Sequence, residues 1–117
     1  MDKVELVKVD KVDEKLVKEV VKRILSVLNP VKIILFGSWS YGKPHRGSDL
    51  DILIIIDDES VSKYDVTVKA YGALTGILIA KDIVVVTPSM VREWENVPQA
   101  FITTIVRKGR VIYERKE

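Results

Sequence analysis

The stretch Gly37-Ser38-Trp39-Ser40-Tyr41-Gly42-Lys43-Pro44-His45-Arg46-Gly47-Ser48-Asp49-Leu50-Asp51 decides how the chain is read. A Gly-Ser turn gives way to a basic loop, and the loop to two aspartates spaced i, i+2 at the head of a very apolar run. Backbone amides at a Gly-Ser turn that opens a helix can hold phosphate oxygens. Carboxylates on one face of a strand can hold Mg²⁺. Together these parts read as a site for a metal-bound nucleoside triphosphate.

The segments on either side set the architecture. Val31 to Phe36 is short, β-branched and closed by glycine, which predicts a buried strand. Residues 38–43 suit a short helical turn before Pro44, and 45–48 a loop. Leu50 to Ile56 predicts a second strand, with Leu50, Ile52, Ile54 and Ile56 on one face and Asp49, Asp51, Leu53 and Ile55 on the other. A run apolar on both faces belongs in the middle of a sheet covered on both sides. From Lys43 to Leu50 the chain is too short for a parallel crossover, so the two strands are expected to be antiparallel neighbours. The sheet is then mixed, and the fold class α+β: a small sheet flanked by helices.

Upstream, Val12, Leu16, Val17, Val20, Val21, Ile24 and Leu28 recur on one helical face, with Asp10 or Asp13 as N-cap and Asn29-Pro30 as the stop. Downstream, Val61, Tyr64, Val68, Tyr71, Leu74 and Leu78 are spaced for a helix over 61–79. Gly72 and Gly76 weaken it by about 1 kcal/mol each, and their spacing of four suggests close packing of a neighbour. Ile83 to Thr87 is a third strand closed by Pro88, and Ser89 is placed to cap a short helix through Trp94. Pro98 fits the first turn of a helix whose Ile102, Ile105 and Val106 face inward. Arg107-Lys108-Gly109 is its stop signal, and Val111 to Tyr113 a last strand.

With 117 residues the chain is read as one domain, 1–117, with residues 1–11 an unassigned N-terminal arm. Its lack of cysteine excludes disulfides, zinc ribbons and thiol catalysis, and its single histidine excludes a histidine-centred metal cluster. A net charge of +2, spread along the chain, is no footprint of dedicated DNA binding. No apolar run reaches membrane-spanning length and no signal segment opens the sequence, which points to the cytoplasm.

Gly37-Ser38, a gap of ten residues, and Asp49-Leu50-Asp51 resemble the signature of the DNA polymerase β-like nucleotidyltransferase superfamily. Asp82, opening Ile83–Val86, stands where that family carries a third carboxylate. Size and ending look like the minimal nucleotidyltransferases, often the antitoxin partners of HEPN-domain toxins. The resemblance implies that Asp49, Asp51 and Asp82 are catalytic and bind two Mg²⁺, with Gly37 and Ser38 on the phosphates of ATP or another NTP. It further implies a protein adenylyltransferase that moves AMP to a hydroxyl, a tyrosine of a helical HEPN toxin, within a hetero-oligomer. Oxygen-only ligands suit Mg²⁺.

Other readings stand beside these. Lys43, His45 and Arg46 fit either phosphate contacts or a solvated basic loop, and Trp39 and Tyr41 either base stacking or packing of the loop. Trp94 and Tyr113 read as core or interface. The chain has no second helical lobe to close a pocket, so a partner chain or a second copy must complete it. A module that neutralises its partner by covering it, and a nucleotidyltransferase acting on a small molecule or RNA, are the alternatives.

Overall fold

The computed structural model describes residues 7–8, 12–37, 50–57 and 61–116. In chain order these form β1 (Val7–Lys8), α1 (Glu14–Leu25), β2 (Lys32–Phe36), β3 (Leu50–Ile55), α2 (Lys63–Ala73), β4 (Ile77–Leu78), β5 (Lys81–Val86), α3 (Pro88–Trp94), α4 (Phe101–Lys108) and β6 (Arg110–Glu114). The main sheet has the order β5-β3-β2-β6, and β1 pairs with β4 in parallel as a separate ribbon. β2 runs antiparallel to β3 and to β6, while β3 and β5 are parallel. The mixed α+β sheet expected from the short connection is therefore present, and α2 supplies the crossover between its parallel strands.

Each face of the sheet has its own core. Ile33, Leu35, Leu50, Ile52, Ile54, Ile83 and Val85 pack against Leu16, Val20 and Ile24 of α1 and against Val66 and Ala70 of α2. On the other face Ile34, Phe36, Leu53, Ile55 and Val86 are covered by Ile105, with Ile102 and Val106 of α4 and Met90 and Val91 of α3. Ile52, Leu53 and Ile54 are wholly buried. The strand apolar on both faces lies inside the sheet, as its pattern requires.

Element ends differ from the sequence reading in ways with clear causes. Asp13 caps α1 by accepting from the Leu16 N–H at 2.9 Å; the rival cap, Asp10, lies outside the described residues. The helix ends at Leu25, and further bonds from the Ser26, Val27 and Leu28 N–H groups back to carbonyls of its last turn carry the chain towards Asn29-Pro30. Helix 61–79 is shortened to Lys63–Ala73, because Gly76 at φ +96° turns the chain into β4. No neighbour presses on Gly72, so close packing does not explain it: a Cβ there would meet nothing within 4 Å. Thr87, not Ser89, caps α3 by accepting from the Met90 N–H at 3.4 Å. Pro88 takes the first helical position, where its missing N–H costs nothing. Pro98 lies in a turn ahead of α4, whose N-cap is Ala100. The expected helical turn at 38–43 and the loop at 45–48 fall outside the described residues.

Gly109 ends α4 with φ −71°, so it is not needed for a left-handed cap. Its role is clearance. A Cβ there would overlap Ile34 Cγ2 and press on the Leu35 carbonyl oxygen at 3.1 Å. Two glycine substitutions should therefore have opposite signs in urea unfolding. Gly109→Ala is expected to destabilise by about 1–3 kcal/mol through overpacking, and Gly72→Ala to stabilise by about 0.4–1 kcal/mol by restricting the unfolded chain.

Candidate functional site

β2, β3 and β5 bring their functional residues to one end of the sheet. Phe36, the last residue of β2, pairs with Asp51, and Asp51 pairs in parallel register with Asp82. Each aspartate is the second residue of its strand, since β5 begins at Lys81 rather than at Ile83. Side chains alternate along a strand, so Asp51 shares a face with Leu53 and Ile55, and Asp82 with Val84 and Val86. That is the face lined by Phe36, Leu53 and Val86. Neighbouring strands are about 4.8 Å apart, which makes the two carboxylates near neighbours. Asp51 is half-buried and Asp82 exposed.

Gly37 closes this end of the sheet. Its φ of +79° lies in the left-handed region that disfavours a side chain. A Cβ on it would also overlap Asp51 Oδ2 and lie 3.1 Å from the Asp51 Cγ. The Asp51 carboxylate thus rests against the Gly37 backbone, in space that only glycine leaves open. Ser38 and Asp49, the flanking members of the predicted set, lie outside the described residues, as do Trp39, Tyr41, Lys43, His45 and Arg46. The structure therefore brings together Gly37, Asp51 and Asp82 among the predicted site residues.

Lys81 is adjacent to Asp82 in sequence, but alternation sends its side chain to the opposite face. There its ammonium donates to the Ile77 carbonyl at 2.7 Å and to the Ile79 carbonyl at 3.1 Å. Partial burial pushes the Lys81 pKa below that of an ordinary lysine. The ammonium is spent on the turn at β4, on the face away from the carboxylates. Two oxygen-donor side chains in register, with a backbone held close, suit a hard divalent cation such as Mg²⁺.

One aromatic ring packs against this end of the sheet. Phe101, the first residue of α4, meets Phe36 edge to face with ring centroids 5.7 Å apart. Sequence reading passed over Phe101, because the apolar spacing of α4 points to Ile102, Ile105 and Val106. Trp94 is exposed, while Tyr113 packs on the edge of the core. On α2 the core takes Val66 and Ala70, while Tyr64, Val68 and Tyr71, at spacings of four and three, remain exposed, as does Val61 just ahead of the helix. Tyr71 spends its hydroxyl on β5, accepting from the Ile83 N–H at 3.0 Å.

The family model described as Polymerase beta, Nucleotidyltransferase matches residues 14–117. Among solved structures, a toxin–antitoxin crystallised with AMP-PNP superposes with a TM-score of 0.51 at 21% identity, covering 86% of this chain and 74% of the other. A mutant of the MntA-HpeT toxin–antitoxin, with two aspartates two positions apart changed to glutamate, matches at 20% identity, with the same coverage and TM-score. At such identity the likeness concerns the fold. No curated protein sequence matches the chain significantly.

The contact between Gly37 and Asp51 gives a direct prediction. Gly37→Ala should destabilise the protein by about 1–3 kcal/mol from backbone strain, plus the clash with the carboxylate. In an Asp51→Ala background the clash is gone, so the same substitution should cost measurably less. A double-mutant cycle in urea reads this coupling. Additive costs would show that the two residues do not press on one another.

Proposed function

The chain belongs to the polymerase beta nucleotidyltransferase family, and from that premise we propose that it transfers AMP from ATP to a hydroxyl of a partner protein. The acceptor is a tyrosine of a helical toxin of the HEPN type, which the transfer silences, so that the chain acts as an antitoxin. The observation that carries this reading is the register of Asp51 with Asp82 beside a glycine whose Cα abuts the Asp51 carboxylate.

In this reading Asp49, Asp51 and Asp82 hold two Mg²⁺, and Ser38 and the amides after Gly37 hold the phosphates. Bound there, Mg²⁺ would neutralise charge on the entering and leaving oxygens of an in-line displacement. Asp82, at the exposed end of the pair, is placed to accept the proton of the attacking hydroxyl. Asp51, wedged against Gly37, is held in one position and so serves as the fixed reference of the site. Displacement at the α-phosphorus forms one P–O bond to the acceptor and breaks one to pyrophosphate. The hydroxyl proton passes to the carboxylate and then to water.

Two likenesses support the nucleotide and the partner. One fold neighbour is a toxin–antitoxin with an ATP analogue bound. The other carries changes at two aspartates with the i, i+2 spacing of Asp49 and Asp51. The exposed stripe of Tyr64, Val68 and Tyr71 on α2 favours a second reading, in which the chain neutralises its partner by covering it. Among the described residues no helix is long and apolar enough to span a membrane.

One assay separates the readings. Protein, α-labelled ATP, Mg²⁺ and the product of the adjacent gene are incubated together, and label on the partner is measured. Wild type is expected to label it. Asp51→Asn and Asp82→Asn should each lose about 100-fold or more, the scale of removing one preorganised electrostatic partner, and EDTA should abolish transfer. An unlabelled partner that the double variant still neutralises fully would sink the enzyme reading in favour of occlusion. In that case Tyr64→Glu with Val68→Glu should release the partner in co-purification.

A further inference from the structure

The carboxylate pair accounts for the phosphate end of a nucleotide but offers nothing to its base. Phe101 does. The residue is 58% exposed although it sits at the start of a helix whose next residues are packed into the core. It stands edge to face on Phe36 at 86° between ring planes, and Phe36 is the cross-strand partner of Asp51. Whichever ring supplies the edge, Phe36 covers at most one face of Phe101, and more than half of the residue stays exposed. Asp51 and Phe36 are cross-strand partners, about 5 Å apart, and the Phe36 ring meets that of Phe101, so Phe101 lies on the same face of the sheet as Asp51. A base at the end of a ribose phosphate extended along that face would meet Phe101.

We propose that Phe101 is the stacking platform for the base of the bound nucleoside triphosphate. The assignment rests on the nucleotidyltransferase reading and adds to it the residue that holds the base. Phe36 anchors the platform by fixing its tilt, and Thr103, which donates to the Trp94 carbonyl, pins the helix that carries it. A hydrocarbon ring has no hydrogen-bonding edge, so it grips any base by area and favours purines over the smaller pyrimidines.

The test compares a ligand that has a base with one that lacks it. Titration calorimetry of the full chain is run with ATP and with inorganic tripolyphosphate, each with Mg²⁺. Phe101→Ala is expected to weaken ATP about tenfold, within the range measured for loss of one base–aromatic stack, and to leave tripolyphosphate within about twofold. Phe101→Trp should keep ATP binding, which separates stacking from a merely structural role. Unchanged ATP affinity in Phe101→Ala overturns the proposal and marks the ring as a protein-contact residue. Equal weakening of both ligands overturns it as well, since the change is then not in the base. Wild-type protein that binds neither ligand, alone or with the partner chain added, overturns the nucleotidyltransferase reading itself, and this assignment with it.

Discussion

The antiparallel pairing of Lys32–Phe36 with Leu50–Ile55 is the constraint on which everything else depends. It places Phe36 opposite Asp51, and so brings the Gly37 turn against the carboxylate it must accommodate. The same register sends Leu50, Ile52 and Ile54 to one core and Leu53 and Ile55 to the other. A shift of one residue would exchange the faces and aim Asp51 into the packed side of α1 and α2. Burying an unpaired carboxylate there is costly enough to exclude the alternative. Site and core are thus fixed by one set of hydrogen bonds.

The remaining strands extend that pair in opposite senses. β5 joins in parallel through α2 and brings Asp82 alongside Asp51. On its outer edge the Tyr71 hydroxyl accepts from Ile83, which satisfies one donor of an otherwise open strand. β6 closes the other edge and is tied down by ion pairs of Lys32 with Glu114 and of Arg110 with Glu14; Arg115, just beyond it, pairs with Asp57. These pairs are solvent-exposed and each contributes at most about 1 kcal/mol. The two apolar cores carry the stability, and the charges favour one docking of the last strand over others.

The sequence made some features legible and left others open, for physical reasons visible in single residues. β3 was readable because only a central strand is apolar on both faces. The Asp13 cap and α1 were readable because one stripe of apolar residues had polar residues opposite. α2 was not so clear: it is apolar on two sides, and spacing alone cannot say whether Val66 and Ala70 or Tyr64 and Val68 meet the sheet. Gly76 looked like an interruption within a helix, and its positive φ shows it to be the turn that makes β4. Gly109 looked like a left-handed cap, yet it is required by the nearness of Ile34. Such demands come from residues far away in sequence, so local pattern cannot reveal them.

By itself the sequence determined the chemistry on offer: carboxylates at 49, 51 and 82, a glycine turn before a strand, oxygen ligands with neither thiol nor histidine cluster, and a connection too short for a parallel crossover. Those are matters of residue type and chain length, which need no partner to be read. Only the tertiary structure decided that Asp82 falls in register with Asp51, that Lys81 points away from both, and that Phe101 packs on Phe36, the cross-strand partner of Asp51. Register and facing are relations between segments, set by which packing buries both cores at once, and no single segment contains them.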